Sequence, residues 1–198
     1  MLQGSLGKRI FASVLLACLT HAASAAGTKT TSALGPGLKS AAALIIDSHS
    51  GEVIFERGAG QAAPIASITK LMTALVVLDG QQPLDEKIEI TAADRWKGKG
   101  AHSRLPVGAK LTRGDLLKLA LMASENRAAQ VLARNYPGGK AAFVRTMNAK
   151  AKALGMTKTR FDDPSGLSSN NVSNARDLAR LVAIVQVALA DHHRSATP

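Results

Sequence analysis

The stretch Ile65-Ala66-Ser67-Ile68-Thr69-Lys70-Leu71-Met72-Thr73-Ala74 follows Pro64 and opens an apolar run that ends at Asp79-Gly80. A proline just ahead and a glycine just behind bound a predicted helix from about Ser67 to Leu78. Ser67 and Lys70 stand at i and i+3, so they share a face of that helix. A serine is a weak nucleophile until a neighbouring base takes its proton. Lysine can be that base only if its pKa falls, through burial and the positive end of a helix dipole. A position at the helix N-terminus meets the second condition, and backbone N–H groups there can face a developing oxyanion. The S-x-x-K tetrad is cheap by itself, since Ser5-Leu6-Gly7-Lys8 is another.

Outward from this helix the chain alternates short β-prone runs with longer helical ones. Ala41 to Asp47 and Val53-Ile54-Phe55 flank Ser48-His49-Ser50-Gly51, which predicts a hairpin. Lys87 to Thr91 suits a short strand. Thr112-x-x-Asp115 resembles a capping box and opens a helix through about Met122. A further helix is expected from about Asn126 to Asn135, stopped by Pro137-Gly138-Gly139. The next spans Lys140 to Leu154, with Gly155 in the position after the C-cap. Asn174-x-x-Asp177 caps a last helix with Leu178, Leu181, Val182 and Val185 on one stripe, reaching about Ala190. Asp191 to Pro198 reads as a disordered polar tail. These elements imply an α+β (mixed α/β) fold, a helical cluster beside antiparallel strands.

Before the hairpin, residues 1–25 read as an address. Lys8 and Arg9 precede an uncharged run from Ile10 to Leu19, and Ala23-Ser24-Ala25 has the form that signal peptidase accepts. The apolar run is about half of what crosses a bilayer. Cleavage near Ala25 and export to the periplasm are therefore expected. A competing expectation is a lipobox at Leu15-Leu16-Ala17-Cys18, with Cys18 lipidated and retained, although Leu16 fits it poorly. Residues 26–40, rich in Gly, Ser, Thr, Ala and Pro, read as a flexible lead-in.

Composition narrows the function classes. The chain has 198 residues, 46% hydrophobic and 3% aromatic, with one cysteine and a net charge of +11. That apolar content excludes a disordered chain. A single cysteine excludes a disulfide framework and a cysteine-rich zinc site. The basic residues are scattered, apart from Arg95-Trp96-Lys97-Gly98-Lys99, and few aromatics could stack bases, which argues against nucleic acid. In an exported protein such charge suits peripheral association with an anionic envelope surface.

The second chemical signal is Ser124-Glu125-Asn126, between two predicted helices. A hydroxyl there could relay a proton from Lys70 to a leaving amine, and the Asn126 amide could hold a substrate peptide group. S-x-N also occurs at Ser168-Ser169-Asn170 and Ser169-Asn170-Asn171. A helix cap for Ser124 and a plain turn residue for Asn126 are the bland alternatives. Asp162 and Asp163 could be paired catalytic carboxylates, but before Pro164-Ser165-Gly166 they look more like turn chemistry.

Order, spacing and placement together are more specific than either motif. The chain resembles the serine-type D-alanyl-D-alanine peptidases, the low-molecular-mass penicillin-binding proteins, which carry S-x-x-K, then S-x-N, then K-T-G. The resemblance runs from about Ala41 to Val182. It takes in Leu121-Met122-Ala123-Ser124-Glu125-Asn126-Arg127-Ala128-Ala129, Met147-Asn148-Ala149-Lys150-Ala151 with Leu154-Gly155-Met156, and Phe161-Asp162-Asp163-Pro164-Ser165-Gly166-Leu167-Ser168. The Ser-Glu-Asn form looks most like the endopeptidase branch, which cuts peptidoglycan cross-links. The resemblance implies that Ser67 forms an acyl-enzyme, Lys70 is its general base, Ser124 passes the proton on, and Asn126 binds substrate. It implies no metal and no cofactor, peptidoglycan stems or cross-links as substrate, and β-lactams as acylating inhibitors.

The sequence departs from the family in one respect. No K-T-G occurs: Lys158-Thr159 precedes Arg160, and Lys29-Thr30 precedes Thr31. The resemblance therefore implies the N-terminal part of the β-lactamase/DD-peptidase-like fold, residues 41–190, with an incomplete antiparallel sheet. In the family the missing strand region donates one of two oxyanion N–H groups, worth about 10²–10³ in rate. Marginal stability, a hairpin with an uncovered apolar face, and little or no turnover are the expectations. Two other functions compete. A non-enzymatic peptidoglycan-binding relic would keep the cleft without the chemistry. A β-lactamase-like hydrolase would need a Glu-x-x-Leu-Asn element after Asn126, and no glutamate follows Glu125.

Overall fold

The computed structural model describes residues 38–98 and 103–195. The leader, its cleavage site, Cys18 and most of the lead-in lie outside the described residues.

Helix α1 (Thr69–Asp79) is the axis of the fold because its sequence is apolar almost all round. Such a helix has to be enclosed. Met72, Ala74, Val76 and their neighbours on it are buried, and it packs against four further helices. These are α2 (Arg113–Met122), α3 (Asn126–Arg134), α4 (Gly139–Ala153) and α5 (Ala175–Ser195). Leu116 and Ala120 of α2, Val131 and Leu132 of α3, Phe143 and Met147 of α4, and Leu181 and Val185 of α5 complete the core. Tyr136 meets Phe143 edge-on, with centroids 5.2 Å apart.

The strands form three two-stranded antiparallel pieces. β1 (Ala43–Ile46) pairs with β2 (Val53–Arg57), with an irregularity between Ile45 and Ile46. β3 (Ala63–Pro64) pairs with β6 (Val172–Ser173), and β4 (Lys87–Glu89) with β5 (Lys110–Thr112). The mixed helical and antiparallel organisation expected from the sequence is present. The predicted hairpin is β1–β2, and its apolar side chains stay largely open: Ile45, Ile46, Val53 and Ile54 are 37–46% exposed.

Several boundaries follow the predicted chemistry. Thr112 accepts a bond from the Asp115 amide at 3.0 Å and so caps α2. Gly155, at φ 68°, ends α4 with the Gly155 N–H on the Lys152 carbonyl and the Met156 N–H on that of Ala151, the paired bonds of a Schellman stop. Asn174 Oδ1 accepts from the Asp177 amide at 2.8 Å and starts α5.

Other boundaries move. The strand expected over Lys87 to Thr91 stops at Glu89, because Thr91 and Asp94 form a capping box around a 3-10 turn at Ala92–Asp94. Val182 leaves the buried stripe of α5 and is 39% exposed. The predicted tail is helical through Ser195: Asp191 and Arg194 pair one turn apart, and basic residues at a helix C-terminus favour the dipole. Only residues 196–198 of that tail lie outside the described residues. None of the described helices is long and apolar enough to cross a membrane.

Candidate active site

Ser67 does not begin the α-helix as the sequence suggests. It lies in a 3-10 turn, Ala66–Ile68, directly ahead of α1. Ala66 has φ 46°, a left-handed conformation uncommon for a residue with a Cβ, and Gly166 packs against it. A Cβ on Gly166 would stand 1.9 Å from the Ala66 carbonyl oxygen. The crowded backbone winds this first turn tightly, leaving Ser67 exposed while Lys70, one turn on, is 2% exposed.

Ser124 sits in the turn that ends α2 and has φ 52°, a position usually suited to glycine. Strained residues of this kind persist where the surroundings over-determine them, and they cluster at functional sites. Two residues on, Asn126 is the first residue of α3, whose start is capped by the Glu125 carboxylate on the Arg127 amide at 3.0 Å.

The four residues singled out in the sequence meet. Lys70 Nζ lies 3.0 Å from Ser67 Oγ, 3.4 Å from Ser124 Oγ and 2.8 Å from Asn126 Oδ1. A fourth oxygen, the Ser165 carbonyl, lies 2.7 Å away, a partner that motif reading does not name. The residues behind it, Asp163, Ser165 and Asn171, are buried. The sequence Asp163-Pro164-Ser165-Gly166 reads as turn chemistry, and this turn carries the Ser165 carbonyl to Lys70.

Burial pushes the Lys70 pKa down from 10.5 to about 8, against the opposing pull of the Asp163 and Glu125 carboxylates. A lysine that loses its proton near pH 8 can act as a base in water of ordinary pH. Its neighbours also fix the direction of its lone pair. The Ser165 carbonyl and Asn126 Oδ1 can only accept, so each takes one Nζ hydrogen. In the neutral amine the one remaining position is the lone pair, left for the side where the two serine hydroxyls lie. Among the described residues no cluster of three or more His, Cys, Asp or Glu is placed to hold a metal ion.

A surface serine beside a buried, pKa-lowered lysine, with a second serine across it on a helical and antiparallel-strand scaffold, is an arrangement that can support serine–lysine nucleophilic chemistry. The family model for D-alanyl-D-alanine carboxypeptidase matches residues 28–194, and the chain belongs to that family. The D-alanyl-D-alanine endopeptidase of Pseudomonas aeruginosa is 56% identical over 145 residues, 73% of this chain and 47% of the relative. That of Escherichia coli is 51% identical over 152 residues, 77% and 49% of the two chains. Penicillin-binding protein D2 from Listeria monocytogenes, solved in a cefotaxime-bound form, matches with TM-score 0.66 and 33% identity over 74% of this chain and 62% of that one. A mutant of the Streptomyces K15 DD-transpeptidase matches with TM-score 0.71 and 29% identity, over 77% and 63%. The chain thus spans about half the length of the curated relatives it matches.

Proposed function

We propose that this chain carries the acylating centre of a serine D-Ala-D-Ala peptidase acting on peptidoglycan. The observation that carries the reading is the 3.0 Å approach of the buried Lys70 amine to Ser67 Oγ, with Ser124 on its other side. Neutral Lys70 takes the Ser67 proton as Oγ attacks the carbonyl carbon of the D-Ala at the scissile bond. The proton then passes by way of Ser124 to the departing amine, and water later releases the acyl group. Asn126, half-buried and 2.8 Å from Lys70 Nζ, would hold the substrate peptide group. The names of the two bacterial endopeptidase relatives and the Ser124-Glu125-Asn126 form both favour cleavage of cross-links. Export to the periplasm, with cleavage near Ala25, is part of the same proposal and rests on the Lys8-Arg9 leader.

The test is the intact mass of the chain with and without benzylpenicillin, beside Ser67→Ala. A gain of one drug mass, absent from the variant, is expected. A folded chain that gains none would remove the acylating reading, and retention of sacculi by that chain would then favour a binding role.

A further inference from the structure

The least explained feature of the site is the depth of hydrogen bonding behind the Ser165 carbonyl. Asp163 is 2% exposed, and its carboxylate hydrogen-bonds to neither Ser67 nor Ser124. Its Oδ2 accepts from the Ser165 amide at 3.0 Å, from the Ser165 hydroxyl, and from Gln130 Nε2 at 3.2 Å. Its Oδ1 accepts from Gly166 N at 3.0 Å, Asn171 Nδ2 at 3.0 Å and Ser168 N at 3.3 Å. Gln130 also reaches Ser165 Oγ at 3.1 Å.

This knot is bolted to both helices of the site. Asn171 Nδ2 donates to Thr69 Oγ1 at 2.9 Å, and Thr73 Oγ1 donates to the Pro164 carbonyl at 2.6 Å. Thr69 and Thr73 are one helical turn apart on α1, with Lys70 between them. Gln130 is one turn along α3 from Asn126, so a single face of α3 supplies both an acceptor for Lys70 and a donor for Asp163. Gly166 packs so closely on Ala66 that a Cβ there would stand 1.9 Å from the Ala66 carbonyl oxygen, so the turn cannot move further towards that backbone.

We propose that Asp163 is a positioning residue for Lys70: with Gln130 and Asn171 it fixes the Pro164–Ser165–Gly166 turn, so that the Ser165 carbonyl takes one Nζ hydrogen and the lysine lone pair stays aimed at the serines. The inference rests on Lys70 being the base of Ser67. A carbonyl free to drift by an ångström would let the amine rotate, and misplacement on that scale can cost about 10²-fold in rate. The charged groups that face Lys70 are Asp163 from this turn and Glu125 from the turn before α3, and both favour its protonated form. Asp163 therefore does two separable things. It orients the base, and it holds the base's titration higher than burial alone would.

The experiment is an NMR titration of the full chain with 13C-labelled lysine, the Lys70 resonance being identified by its loss in Lys70→Met. Lys70 is expected to titrate near pH 8 in the unaltered chain and at lower pH in Asp163→Asn. The benzylpenicillin acylation rate, followed against pH, should show the same displacement of its acid limb together with a plateau about 10- to 100-fold lower. A variant that merely loosened the fold would lower the active fraction and leave the limb in place. An unmoved Lys70 titration in folded Asp163→Asn, or an unchanged plateau, overturns the inference. If Asp163→Asn does not fold, Gln130→Met keeps the carboxylate and unties the turn. Water then reaches Lys70 and its titration rises towards that of an ordinary lysine, whereas a value still near 8 overturns the inference. If the unaltered chain is never acylated, the peptidase reading fails, while the Gln130→Met titration still shows whether the turn around Asp163 holds Lys70 in place.

Discussion

The surroundings of Lys70 and the β1–β2 hairpin use similar apolar residues to opposite ends. Around α1, Met72, Val76, Leu132 and Phe143 are at most 1% exposed, whereas Ile54 on the hairpin is 46% exposed. Helix α1 has neighbours on every side. The hairpin packs against α5 and contributes no buried residue of its own. The difference teaches that the serine–lysine site is built by the part of the chain that closes on itself. The hairpin contributes an edge and a face without deciding the site's geometry. The expectation of an uncovered apolar hairpin holds, but the exposure does not extend to the nucleophile's supports.

Lys70→Met should slow acylation of Ser67 by about 10²–10⁴-fold, and Ser67→Ala should abolish the adduct; stopped-flow acylation and intact mass read these effects. On the closed side of the comparison, Phe143→Ala should cost about 3–5 kcal/mol in urea unfolding, because it opens a cavity among side chains that cannot collapse. A cost below about 1 kcal/mol would mean that the helical side is looser than its burial implies.

The pH dependence sharpens the same contrast. Lys70 has to be neutral to accept the Ser67 proton, and its pKa is lowered to about 8. Acylation should therefore rise as pH increases through about 8 and then level off. A limb near the ordinary lysine value would mean that water reaches the amine. The smallest effect belongs to the hairpin: Ile54→Thr keeps a β-branched residue on an open face and should change stability by no more than about 0.5 kcal/mol. A larger loss would show that this face is covered in solution.

Much of the scaffold was legible. Thr112, Gly155 and Asn174 mark their helix ends through local chemistry that needs no tertiary partner. The strands β3, β5 and β6 were not legible. At two or three residues each they carry no periodicity, and they exist only because distant segments pair, Ala63 with Ser173 and Leu111 with Ile88. The 3-10 turn at Ser67 was hidden for a similar reason, since its winding depends on Gly166, far along the chain.

By itself the sequence determined the identity and order of the chemical groups: Ser67 one turn before Lys70, then Ser124 and Asn126, on a chain apolar enough to enclose α1. Those features are local, set by helical spacing, caps and composition. Only the tertiary structure decided that Lys70 loses its water, that Ser124 faces it from another turn, and that the Ser165 carbonyl completes its set of partners under the control of Asp163. Burial and the direction of a lone pair depend on atoms brought together from three separate segments, and no spacing within one segment encodes them.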